Sequence, residues 1–112
     1  WRGQSNRFYF FEAPIDLLSF ISLNKTNWQD HSYAAACGVS DHVLWQMMKD
    51  NPNLNHVFLC LDNDEVGQSA ARHISEKLNT HGISNKVLIP TRKDWNEDIL
   101  HSREVVCPTL RF

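Results

Sequence analysis

VFLCLDNDEVG, residues 57–67, is the stretch whose reading decides the fold. Val57–Leu61 is apolar throughout, and the run stops abruptly at two aspartates spaced one apart, Asp62 and Asp64, with Glu65 behind them. A strand with one wet face alternates apolar and polar residues. An unbroken run, here HVFLCL from residue 56, fits a central parallel strand covered on both faces. The tip of that strand is then a problem in electrostatics. Carboxylates this close repel each other, and something must offset the repulsion.

Working outward, RFYFFE (7–12) is another strand. Pro14 suits the first turn of a helix, where its missing N–H is not needed. IDLLSFISL behind it is apolar on nearly every side, which predicts a well-buried helix. NKTNWQD is a polar loop, and SYAAAC (32–37) reads as a short strand of small residues closed by Gly38. Ser40 or Asp41 caps a helix with Val43, Leu44, Met47 and Met48 on one face. Asn51-Pro52-Asn53 ends it. After the paired aspartates, a helix from about Glu65 to His81 carries Val66, Ala70, Ile74 and Leu78 at i+4 spacing, and Gly82 stops it. NKVLIP (85–90) is the fourth strand, and TRKDWNEDILHS is a charged loop leading into a short helix. Residues 103–112 are weakly patterned. The order β-α-β-α-β-α-β-(α) predicts an α/β fold: a parallel sheet of about four strands, right-handed crossovers and helices on both faces.

Composition agrees with one globular unit. The chain has 112 residues, 42% of them hydrophobic and 21% charged, which argues against disorder and suffices for one core. No apolar run reaches the roughly 18–20 residues of a membrane span, so no membrane partner is expected. The chain starts at Trp1, not at Met. The expectation is therefore a single domain over 1–112, with its core at about 7–101, belonging to a larger multidomain protein. Cys37, Cys60 and Cys107 are odd in number and contain no C-x-x-C pair, so they read as reduced packing residues of a cytoplasmic protein. The six histidines are scattered without zinc spacing. The formal charge of −2 is unlike a stand-alone nucleic-acid binder, which is usually basic.

In a sheet of this kind the functional edge is the carboxyl end of the strands. Glu12 ends the first strand, Asp62 and Asp64 follow the third, and Asp94 follows the fourth by four residues. Strand periodicity puts Asp62 and Asp64 on one side, roughly 6–7 Å apart at Cα, with Asn63 pointing away. Both carboxylates can then reach one hard cation. Mg²⁺ takes oxygen ligands, often one or two carboxylates, and leaves positions for substrate phosphates. Taken singly, some of these positions have a plainer reading: Asp64 or Asn63 as a helix cap, Asp94 as a solvated loop acid; Glu12, a poorer cap than Asp or Ser, is harder to dismiss. Three strand ends converging with acids favour the metal.

FYFFEAPIDLLSF, AACG, VFLCLDNDEVGQSAA and KDWNEDIL together resemble the Toprim domain of bacterial-type primases, topoisomerases and some nucleases, over about residues 7–101. The E-A-P-I-D-x-L-S and K-D-W-N-E stretches are most similar to primase-like Toprim proteins of plasmids, phages and other mobile elements. The resemblance implies a Rossmann-like fold, with Glu12 as general acid/base or metal ligand. It implies Asp62 and Asp64 as the metal-binding pair and Asp94 as the first acid of a loop that helps bind further metal. Two positions depart from the pattern. Ala13 stands where a glycine is usual, and Asn96, with Glu97 beside it, stands where the loop's second acid is expected. Lys93 and Arg92 are candidate phosphate contacts, with Lys93, Asn96 and Glu97 as possible auxiliary contacts to phosphate or metal. Trp95 reads as packing. Neither Tyr9 nor Tyr33 is placed like a topoisomerase nucleophile.

The implied activity is Mg²⁺- or Mn²⁺-dependent nucleotidyl transfer in RNA primer synthesis for DNA replication. The partners would be single-stranded DNA template, nucleoside triphosphates and other domains of the longer protein. The alternatives implied are a metal-dependent nuclease or topoisomerase-related domain, and a non-catalytic Toprim module in a replication or transfer protein. With no evident basic groove, the isolated 112 residues are expected to be inactive.

Overall fold

The computed structural model describes residues 1–36 and 41–106, with side chains to residue 100. Among the described residues, four strands, β1 (Arg7–Phe11), β2 (Ser32–Ala35), β3 (His56–Cys60) and β4 (Ser84–Val87), alternate with four α-helices. These are α1 (Pro14–Leu23), α2 (His42–Asp50), α3 (Glu65–Thr80) and α4 (Trp95–Val106). The sheet is wholly parallel in the order β2-β1-β3-β4. The expected closure of the second strand at Cys37 and Gly38, the Ser40 cap, Cys107 and the last six residues lie outside the described residues. No helix among the described residues is long and apolar enough to cross a membrane.

Two cores follow from strand alternation. Phe8 and Phe10 of β1, with Val57 and Leu59 of β3, pack under Leu44 of α2 and Ala71, Ile74 and Leu78 of α3. Tyr9, Phe11 and Cys60 face the other way, toward Phe20 of α1, with Leu17, Ile21 and Trp95 against them. Tyr9 stacks on Phe58 at 4.6 Å and on Tyr33 at 5.3 Å between ring centroids. β3 buries residues toward both layers, as its unbroken apolar run requires.

Three helix expectations change in detail. α1 buries Asp16, Ser19 and Phe20, while Ile15, Leu18 and Leu23 are exposed. A helix in an outer layer turns only one side to the sheet, so the all-round apolarity of α1 does not translate into all-round burial. In α3 the buried stripe is Gly67, Ala71, Ile74 and Leu78, one residue later than expected at its start, and Val66 is exposed. α4 is longer than a short helix, at 12 residues.

The strand order has a consequence for function. The chain moves from β1 to β2 on one side, then crosses to β3 on the other side of β1. The connection therefore reverses direction between β1 and β3, and their two crossovers leave on opposite faces. A crevice opens at such a switch point, beyond the carboxyl ends of the two strands. Glu12 and Asp62 stand there.

Candidate metal centre

Asp62 follows Leu61 at the end of β3, and its position depends on α3. Gln68 Nε2 donates to the Asp62 carbonyl at 3.0 Å. Gly67, buried in the first turn of α3, lies so close that a Cβ there would collide with the Asp62 backbone. Asp64 is the N-cap of α3, its Oδ1 accepting from the Gly67 N–H at 2.7 Å. Asp94 does the same for α4: its Oδ1 accepts from the Glu97 N–H at 2.8 Å. Both helices thus point their positive ends at the acids.

The acids that converge are Asp16, Asp62 and Asp94, one oxygen of each lying within 4.8 Å of the others. Asp16 carries no role in the sequence reading. It sits in the first turn of α1, only 4% exposed, and accepts from the Asn96 N–H of α4 at 3.3 Å. Its signal was available: one helical turn after a strand-ending glutamate, an acid returns to the same edge. An acid in a first turn also complements the helix dipole, which hides it.

Glu12 stands against Asp62 and shares a hydrogen bond with it. Burial first, then the charge and hydrogen bond of Asp62, then the charge of Asp64, push the Glu12 carboxyl up to about 7. Asp62 is also raised, by burial and by Asp94 and Asp64, against a lowering by the Glu12 hydrogen bond and Lys93. Burial, then Asp94 and Asp62, push Asp16 up to about 6, although the Asn96 N–H opposes this. Asp62 Oδ1 is buried and has no hydrogen-bond partner. Three carboxylates that each bring one oxygen within 4.8 Å of the others, an orphaned oxygen on Asp62, and net repulsion among the acids are what a divalent oxygen-seeking cation fits.

The remaining candidates lie around this group. Asn96 turns its side chain to Ser19, whose Oγ donates to Asn96 Oδ1 at 3.3 Å. Glu97 and Lys93 are exposed. Trp95 packs edge-on against Phe20 at 5.0 Å and donates from Nε1 to the Cys60 carbonyl at 3.2 Å, so its indole is engaged inside the fold.

The raised carboxyls make a pH prediction. The folded chain holds protons on Asp16 and Glu12 that the unfolded chain has released. The stability these groups contribute is therefore full below about pH 4 and is lost as pH rises through about 6 for Asp16 and about 7 for Glu12. Thermal melts of the metal-free chain should fall across that window. Asp16→Asn should flatten the fall; an unchanged slope would place the titration elsewhere.

Comparison with known proteins identifies the family and the fold. The Toprim-like family profile matches residues 9–99. An uncharacterized protein of Mycoplasma genitalium is 28% identical over 99 residues, covering 84% of this chain and 42% of the relative. One of Mycoplasma pneumoniae is 30% identical over 99 residues, covering 87% of this chain and 44% of the relative. One of Bacillus anthracis is 27% identical over 111 residues, covering 86% and 32%. The chain thus spans less than half the length of these relatives. Among solved structures, the primase fragment of the bacteriophage T7 primase-helicase protein superposes with a TM-score of 0.70 at 22% identity. That superposition covers 98% of this chain and 45% of the T7 fragment, and at this identity the likeness shows the fold.

Proposed function

The chain belongs to the Toprim-like family, and on that premise we propose that it is the metal-binding catalytic domain of a primase-like protein, acting in nucleotidyl transfer on a single-stranded DNA template. The observation that carries the reading is the convergence of Asp16, Asp62 and Asp94 at the β1/β3 switch point, with Glu12 beside them. Asp16, Asp62 and Asp94 would hold Mg²⁺ or Mn²⁺, with the free oxygen of Asp64 at the margin. Such a cation, when bound, neutralises phosphate charge and clamps attacking and leaving oxygens.

The chain's own residues supply the rest. Glu12, with its carboxyl near neutrality, is suited to accept the proton of an attacking hydroxyl and to return it. Asp16 ties α1 to the start of α4 by accepting the Asn96 N–H, which braces the acid edge. Arg92 and Lys93, exposed beside Asp94, can meet incoming phosphates. The partners would be nucleoside triphosphates and single-stranded DNA, held with the help of other domains.

The test is an assay of the full-length protein on single-stranded template with labelled nucleotides, beside a nuclease assay on the same template. Short primers should form in Mg²⁺ or Mn²⁺. Glu12→Gln should lower synthesis by about 10²–10⁴-fold, the usual worth of a general acid–base group. Metal-dependent cleavage without synthesis would favour a nuclease, and silence in both assays a non-catalytic module.

A further inference from the structure

We propose that Asn63, the residue between the paired aspartates, and Asp98 in the first turns of α4 are positioning residues that set the place of Asp94 for the cation; this rests on the metal reading above. The segment between β4 and Asp94 is held in an unusual way. Thr91, Arg92 and Lys93 are all exposed, so side-chain packing does not fix them. Yet the backbone of every residue from 90 to 93 is engaged. Asn63 Nδ2 donates to the Pro90 carbonyl at 3.1 Å, and the Asn63 N–H donates to the Lys93 carbonyl at 2.5 Å. From the other side, Asp98 accepts from the Thr91 N–H at 2.9 Å through one oxygen and from the Arg92 N–H at 2.8 Å through the other.

Two clamps therefore hold one exposed segment, one from the turn that carries Asp62 and one from the helix that Asp94 caps. A free loop at this point would open at little cost. Clamped, it delivers Asp94 to within 4.8 Å of Asp62 and Asp16. Neither Asn63 nor Asp98 is in that triad. Their effect passes through Asp94, as that of partners behind a metal ligand does.

The test is a calorimetric titration of the 112-residue chain with Mn²⁺. Asn63→Ala and Asp98→Ala should each weaken binding by about tenfold, within the range for loss of a supporting partner. Asp98→Asn keeps one acceptor oxygen and should fall between wild type and Asp98→Ala. The deciding arm is a double-mutant cycle. Placed in an Asp94→Ala chain, Asn63→Ala should add no further loss, because the ligand it positions is gone. Wild-type affinity in both alanine variants, or a full additional loss without Asp94, would overturn the proposal and leave the metal reading standing. A wild-type chain that binds no Mn²⁺ would overturn both.

Discussion

Gly67→Ala lowers the melting temperature of the metal-free chain by roughly 5–15 °C, taking an overpacking cost of about 2–3 kcal/mol less about 1 kcal/mol of helix propensity, at about 4–8 °C per kcal/mol. Two effects compete at this position. In an open helix, alanine would stabilise by about 1 kcal/mol through its propensity. Here the added methyl has no room, because it would meet the Asp62 backbone inside contact distance. Backbone cannot swing aside as a long side chain can, so α3 must shift from β3 or Asp62 must move. The clash outweighs the propensity gain. The same substitution displaces the carbonyl held by Gln68 and the N–H that Asp64 caps. Metal binding should weaken together with stability. Circular-dichroism melts would decide the sign, and an unchanged or higher melting temperature would contradict a clash with the Asp62 backbone as the dominant effect.

Most of this fold was legible because its elements announce themselves locally. The unbroken Val57–Leu61 run fits a covered strand, and Pro14, Asn51-Pro52-Asn53 and Gly82 punctuate the helices. The strand order was not legible. Nothing local says that β3 skips over β2 to pair with β1, and that order makes the Glu12–Asp62 edge a switch point. Burial on α1 was overread, since composition cannot say which side of an outer helix meets the sheet.

At the site, Asp62 and Asp94 were visible as strand-end acids, and the structure brings them together. Asp16 was not nominated, because an acid in the first turn of a helix has an ordinary electrostatic reason to be there. Asp64 shows the converse. Its plain reading as a helix cap is what its Oδ1 does. Gly67 was passed over because a glycine near a helix start looks merely tolerated, and only the three-dimensional approach of Asp62 reveals what excludes a side chain. Asn63 lies in the turn beyond β3, and sequence could not show that its side chain reaches the Pro90 carbonyl.

The second large effect concerns the cation, and its two signs are opposite. In the metal-free chain at pH 7–8, Asp62→Asn removes one negative charge from beside Glu12 and Asp94, whose repulsion contributes to the raised carboxyls. That variant should melt a few degrees higher than wild type, at about 4–8 °C per kcal/mol of repulsion relieved. With millimolar Mg²⁺ or Mn²⁺ the order should reverse. Wild type gains stability by mass action, about 2.7 kcal/mol at a hundredfold excess over Kd. Asp62→Asn should gain almost nothing, because amide oxygen is a poor substitute for the carboxylate. A general structural defect lowers both melts, and a purely structural cluster shows no metal response, so the crossover separates these accounts from a binding site.

The most direct measurement is the anomalous-scattering map of a crystal grown or soaked in Mn²⁺. A peak in contact with the carboxylates of Asp16, Asp62 and Asp94, absent from the Asp62→Asn crystal, is the expected result. A map without a peak at these three carboxylates under saturating Mn²⁺, or with its peak on other residues, would contradict the claim that this edge of the sheet is a metal centre.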